Sequence, residues 1–150
     1  MPGETPFFDT CYLVRLYLED HGFEAVRRLA GQASVVAAAW HAQAEVAAAF
    51  HRAYRERGIP DEAYSGLLAQ FAADRNASLF AWQPLNEAVL GRVEKVLRSA
   101  PTATYLRAAD ALHLACAAEH GFTEAYSSDR HFLAAAPIFG IRGIDVLPPI

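Results

Sequence analysis

Residues 106–136 read LRAADALHLACAAEHGFTEAYSSDRHFLAAA, and this run decides the fold. Its first half is apolar at helical spacing and stops at Gly121, a residue suited to the left-handed turn that ends a helix. TEAYS (123–127) then reads as a strand, and DRHFLAAA (129–136) as a short helix that starts on an acid. Helix, strand and helix joined by turns of a few residues are the repeating unit of a parallel sheet with helices on its faces.

The same alternation extends both ways. Downstream, IRGIDV (141–146) reads as a last strand before the proline-containing tail LPPI. Upstream, PFFD (6–9) is a short strand ending in a carboxylate. A helix begins at once at Thr10, which is a candidate cap, with Leu13, Leu16 and Tyr17 on one face. A second helix covers roughly 22–30, and ASVVA (33–37) is the next strand. WHAQAEVAAAFHRAYRER (40–57) is an alanine-rich helix stopped by Gly58, and Pro60 opens another. SLFAW (78–82) is a strand, residues 84–99 a helix and SAPTATY a loop. Short connections without a linker or repeat predict one α/β domain over residues 1–150, with a mainly parallel sheet and helices on both faces.

Composition removes several classes. The chain has 150 residues, 53% hydrophobic and 20% charged, so it can bury a core. A net charge of -4 argues against a module that holds nucleic acid by charge alone, though a bound cation reverses the local sign. Cys11 and Cys116 form no C-x-x-C pair, which excludes a disulfide framework and a cysteine zinc site. No phosphate-cradling glycine motif occurs. The opening MPGETPFF has no secretory signal pattern and no apolar run approaches membrane-spanning length, so the expectation is a cytoplasmic protein away from membranes.

Four acids lie in apolar surroundings: Asp9 in PFFDTCYLV, Glu45 in WHAQAEVAAAF, Asp110 in LRAADALHLACAA and Asp129 after TEAYSS. An isolated buried carboxylate costs several kcal/mol. Asp9 and Asp129 end predicted parallel strands, the edge where open α/β sheets bind ligands. Glu45 and Asp110 lie near helix N-termini, which favour negative charge. Two carboxylates 4 Å apart repel by about 4 kcal/mol at an effective dielectric of 20, so four together either shift their pKa values or hold a cation. Oxygen ligands suit Mg²⁺ or Mn²⁺. Each acid also has a structural reading: Asp9 or Asp129 as a helix cap, Glu45 paired with His41, Asp110 paired with Arg107 or His113.

In their order and spacing these segments resemble the PIN domain family, and within it the VapC-like toxins of type II toxin–antitoxin pairs. FFDTCYLVRLYLED resembles the opening strand with the first acid Asp9 and Thr10. AAAWHAQAEVAAAFHRAYRERG resembles the helix of the second acid, Glu45. YLRAADALHLACAAEHG carries Asp110 as the third. YSSDRHFLAAAPIFGIRGIDV resembles the segment with the fourth, Asp129, and the supporting Ser127. Where the family often has a serine before the second acid, Ala39 and Trp40 stand here.

The resemblance implies a three-layer α/β/α sandwich on a five-stranded parallel sheet in order 3-2-1-4-5. It also implies a Mg²⁺- or Mn²⁺-dependent endoribonuclease using Asp9, Glu45, Asp110 and Asp129 for metal and catalysis. A structured RNA such as tRNA would be the substrate, a VapB-like antitoxin the partner, and a homodimer the assembly. Arg107 and Arg130 are candidate substrate contacts. Arg52, Arg55 and Arg57 are further basic residues near the second acid, and Trp40 and Tyr12 are candidate stacking residues. His113, one turn after Asp110, is read as a hydrogen-bonded core histidine before a metal ligand. The competing readings are a non-catalytic PIN-like binding module and a receiver-type phosphoacceptor. The receiver mechanism needs a late lysine, and the sole lysine, Lys95, lies in a helix.

Overall fold

The fold is described over residues 4–150 of a computed structural model; Met1, Pro2 and Gly3 of the expected domain lie outside the described residues. In chain order the elements are α1 (Thr10–Arg15), α2 (Phe23–Gly31), β1 (Val36–Ala39), α3 (Ala42–Arg57), α4 (Asp61–Asn76), β2 (Phe80–Gln83), α5 (Glu87–Ser99), α6 (Ala108–Glu119), β3 (Glu124–Tyr126), α7 (Arg130–Ala135), a 3₁₀ turn (Ala136–Phe139) and β4 (Arg142–Ile144). The helix–strand alternation is as the sequence predicts. The strand at 33–37 begins later, at Val36, because Ala33 already closes the turn after α2 by donating to the Ala30 carbonyl.

β1 pairs with β2, and β3 with β4, both in parallel. The expected first strand at 6–9 is reduced to two parallel bridges, Phe7 to Ala37 and Phe8 to Tyr126. Phe8 N–H donates to the Ala37 carbonyl at 2.8 Å and Asp9 N–H to the Tyr126 carbonyl at 2.9 Å. Pro6 has no N–H to donate, and the Asp9 carbonyl already accepts from the Tyr12 and Leu13 N–H groups of α1, so the ladder does not extend past either end. Asp9, rather than Thr10, supplies that cap.

Alternate strand residues feed two separate cores. Phe7, Ala37, Ala39 and Ala125 pack with Val89, Leu114, Phe132 and Phe139 from α5, α6, α7 and the 3₁₀ turn. Phe8, Val36 and Ala38 pack with Tyr12, Val26, Phe50 and Phe71 from α1–α4. Phe7 and Phe8 are fully buried on opposite faces, each worth roughly 1.5–3 kcal/mol of apolar burial. This double anchoring fixes Asp9, the next residue, at the C-terminal edge of the strands. Among the described residues no helix is long and apolar enough to cross a membrane.

The chain's return is fixed by a close approach. Gly22 has φ +79, and a Cβ added there would collide with Leu147 Cγ. Gly22→Ala is expected to destabilise by roughly 2 kcal/mol, from left-handed backbone strain plus overpacking. A lowered urea midpoint at unchanged slope is the measurement that checks it.

Candidate active site

Four different parts of the chain deliver the four acids to one cleft of about 660 Å³. Its lining includes Asp9, Thr10, Glu45, Asp110 and Asp129, with Arg52, Arg55 and Arg107. Asp9 follows the Phe7–Phe8 bridges, Glu45 lies in the first turn of α3, Asp110 in the first turn of α6, and Asp129 caps α7. Each is placed just beyond a strand end or at a helix start, where backbone N–H groups point outward.

Asp9 and Asp110 are each only 6% exposed. Asp9 Oδ1 accepts from the Thr10 N–H at 2.8 Å, and its Oδ2 from the Ser127 hydroxyl at 2.7 Å. The fully buried Ser127 Oγ in turn accepts from the Asp129 N–H at 3.0 Å, so one hydroxyl ties the first acid to the fourth. Thr10 Oγ1 donates to Glu45 Oε1 at 2.9 Å. Thr10 and Ser127 are therefore hydrogen-bonded supports, each beside its acid.

Asp129 divides its oxygens. Oδ1 accepts from the His131 and Phe132 N–H groups at 2.8 and 2.9 Å, the structural capping role. Oδ2 points to Arg107 Nη2 at 3.2 Å, while Arg107 Nε reaches Asp110 Oδ2 at 3.0 Å. The Arg107 guanidinium thus bridges two acids that are 19 residues apart in sequence. It is 54% exposed, which leaves it room to swing away. Arg130 is exposed, outside the cleft lining, and forms no ion pair among those found in the described residues. Arg57 is committed to Asp20 at 2.7 Å, whereas Arg52 and Arg55 line the cleft. Tyr12 is core, fully buried, and its hydroxyl donates to Asp145 at 2.8 Å; Trp40 is 59% exposed.

His113, 1% exposed, lies behind the acids. Its Nε2 is 2.6 Å from Glu45 Oε1 and 3.5 Å from Asp9 Oδ1. It does not bond to Asp110, the partner that its i+3 spacing suggested. Burial works against charging this ring, but the Glu45 bond and the charges of Asp9, Glu45 and Asp110 outweigh it and raise its pKa. Burial also opposes the Glu45 charge, and His113, Thr10 and His41 reverse the balance, so the Glu45 pKa falls. Asp110 is raised, first by burial and then by the charges of Asp9 and Asp129, with Arg107 pulling the other way. Burial beside Asp9 pushes the Cys11 thiol up to about 11, so it is a weak nucleophile.

A pH dependence follows for the metal-free protein. His113 has a folded pKa above the ordinary 6.5, so its stabilisation is complete below that pH and is lost as pH rises through the folded value. Glu45 has a folded pKa below the ordinary 4.5, so its contribution is present above that pH and lost as pH falls. Stability in EDTA is expected to be greatest between those two values and to decline on the alkaline side. Urea midpoints across pH measure it; His113→Asn should flatten the alkaline decline, and an unchanged decline would assign it elsewhere.

The donor set fits a divalent cation. Four carboxylates line the cleft, where Arg107 pairs with Asp110 and Asp129, His113 pairs with Glu45, and Arg52 and Arg55 stand on the same lining. Burial raises the Asp110 pKa first, and the neighbouring Asp9 and Asp129 charges add to it, which a bound cation would relieve. The carboxylates do not already form a tight oxygen cage, however. Among the described residues, the group of three whose ligand atoms lie mutually within 4.8 Å is His41, Glu45 and His113. Arg107 pairs with Asp110 and Asp129, and Ser127 donates to Asp9. The sequence marks His41 only as an i−4 ion-pair partner of Glu45; that His113 reaches the same oxygen from α6 has no local signal.

The family model described as "PIN domain" matches residues 7–137. No curated protein matches the chain. Among solved structures, Mycobacterium tuberculosis VapC20, a sarcin–ricin loop cleaving toxin, is similar in fold: TM-score 0.69 and 21% identity, over 96% of this chain and 100% of that one. With its fold similar to VapC20 over 96% of its length, and with the family model matching from the first bridge to the 3₁₀ turn, well over half of its residues, the chain belongs to the PIN domain family.

Proposed function

We propose that this chain is a divalent-metal-dependent endoribonuclease, the toxin of a VapBC-type pair, working in the cytoplasm as one PIN-like domain over residues 1–150. The two strand pairs and the Phe7–Phe8 segment then count as the family's five-stranded sheet in order 3-2-1-4-5. The observation that carries the reading is the convergence of Asp9, Glu45, Asp110 and Asp129, from four separate elements, on one cleft at the strand ends.

In this reading Asp9 and Asp110 hold Mg²⁺ or Mn²⁺ directly, Asp129 directly or through water, and Glu45 through water or as a base. A divalent ion held there supplies charge to offset the phosphate oxygens and makes water a better nucleophile. Ser127 and Thr10 keep Asp9 and Glu45 in one orientation, so little rearrangement is needed when substrate arrives. Arg107, swung from its two acids, and Arg130 meet the RNA phosphates, and Arg52 and Arg55 extend that cationic side of the cleft. A structured RNA such as tRNA is the proposed substrate class; VapC20 cleaves the sarcin–ricin loop. Of the apolar face Leu13, Leu16 and Tyr17 expected to receive an antitoxin helix, Leu13 is fully buried core, so the helix would lie in the groove that Leu16 and Tyr17 line with Ile59 and Leu67, with a homodimer as the assembly.

One observation favours the rival, a non-catalytic PIN-like module: Arg107 already pairs with two of the acids. The experiment that separates them is cleavage of total tRNA and ribosomal RNA by the purified chain with Mg²⁺, Mn²⁺ or EDTA. New discrete ends that appear only with metal support the nuclease. RNA bound but left intact under every condition supports the module.

A further inference from the structure

His41, Glu45 and His113 form a cluster whose donors are not the hard oxygens of the neighbouring acids. His41 precedes α3 and Glu45 is one turn on, while His113 comes from the middle of α6. Their ligand atoms lie mutually within 4.8 Å. His41 Nε2 is 3.4 Å and His113 Nε2 2.6 Å from the same Glu45 Oε1, and the two rings lie 4.2 Å apart, tilted by 38°. A hydrogen-bonded pair of His113 and Glu45 would need no second imidazole. His41 nevertheless faces that oxygen at ion-pair distance but out of hydrogen-bond alignment.

A second, independent observation concerns the nitrogens themselves. His41 Nε2, the nitrogen 3.4 Å from Glu45 Oε1, is a buried atom without a hydrogen-bond partner although the His41 side chain is 19% exposed, while the orphaned Nδ1 of the 1%-exposed His113 lies across its ring from the Nε2 that meets Glu45. Buried polar atoms left unpaired are uncommon in native proteins and often mark a missing ion or water. We propose that His41, Glu45 and His113 form a site for a divalent ion of the zinc class, with a donor chemistry distinct from the acid cluster beside it. Two imidazoles and one carboxylate select Zn²⁺, Co²⁺ or Ni²⁺ over Mg²⁺. With bonds of about 2.0–2.1 Å, ligand atoms of a tetrahedral site stand about 3.4 Å apart. The His41–Glu45 separation already meets this, and the His113–Glu45 hydrogen bond has only to open by under an ångström. Three protein ligands leave the fourth position free. Glu45 belongs to both groups, so occupancy here bears on the acid cluster, but the inference does not depend on RNA being the substrate.

Co²⁺ titration of the metal-free full chain, read by visible absorption, tests it. The expected result is one equivalent bound with the intense bands of a nitrogen-containing tetrahedral site, displaced by stoichiometric Zn²⁺ and not by millimolar Mg²⁺. His41→Ala should weaken that binding by at least the roughly 10–100-fold that loss of a mere supporting partner costs. A faint octahedral spectrum, Mg²⁺ displacement or an undiminished His41→Ala titration overturns the site. Should His41→Ala melt early, histidine ring-proton NMR of the unsubstituted chain with one equivalent of Zn²⁺ decides the same question. His41 and His113 should move, and movement of His21, His51, His120 or His131 instead overturns it. Metal-dependent RNA cleavage measured on the same samples keeps the two readings apart: cleavage without the Co²⁺ signature removes this site alone.

Discussion

Asp9→Asn is expected to lower RNA cleavage by about 10²–10³-fold, the range seen when one preorganised electrostatic group is removed from a reaction centre, while the protein stays folded. Asp9 is the buried acid on which the others converge: Ser127 ties it to Asp129, and His113 ties it to Glu45. Asparagine keeps its size, its cap acceptor for the Thr10 N–H and a polar group against Ser127, so the stability change should stay within about 1 kcal/mol. It removes only the charge. That loss has a second readout independent of catalysis. The Asp110 pKa is raised by burial first and by the Asp9 charge in addition, so Asp9→Asn should bring the Asp110 pKa down, as read by carboxyl-carbon NMR in EDTA. Cleavage at the normal rate would remove Asp9 from the chemistry. An unmoved Asp110 would show that the two carboxylates do not share a field.

How much of the molecule is legible in its sequence depends on the range of the interaction. The helix–strand alternation is written locally, in apolar spacing and in stops such as Gly58, whose φ is +63. The acids are legible for a physical reason too: a charge amid alanine and leucine is costly, so Asp9 and Asp110 stand out and indeed lie buried. The capping roles of Asp9 and Asp129 coexist with the cleft, since one carboxylate oxygen can cap a helix while the other faces elsewhere. What stays hidden is non-local. Nothing around Arg107 indicates that it reaches Asp129 as well as Asp110, and nothing around His113 points to Glu45, 68 residues away. The first strand shrinks to two bridges where the Asp9 carbonyl is taken by the first N–H groups of α1 and Pro6 has no N–H to give, a competition that apolar pattern alone does not register.

Mn²⁺ should raise the melting temperature by about 5–10 °C when present at 100 times its dissociation constant. A ligand at that excess stabilises the folded chain by about 2.7 kcal/mol, and a domain of this size gains roughly 2–4 °C per kcal/mol. The sign of its pH dependence is set by Asp110. A carboxyl with a raised folded pKa favours the folded state most when protonated, so as pH climbs through that pKa the metal-free protein loses stability. The ion then replaces a proton less often and relieves more repulsion, so the shift in melting temperature should be larger at pH 8 than at pH 5. Arg107 acts in the opposite direction, because its guanidinium occupies Oδ2 of both Asp110 and Asp129. Arg107→Ala should therefore melt lower without metal yet show a larger Mn²⁺ shift than the unsubstituted chain, whereas Asp110→Asn should show almost none. If Arg107→Ala reduces the shift, the arginine supports the ion instead of competing with it. If Asp110→Asn keeps the full shift, the ion lies elsewhere and the acid cluster is a structural feature held together by Arg107 and His113.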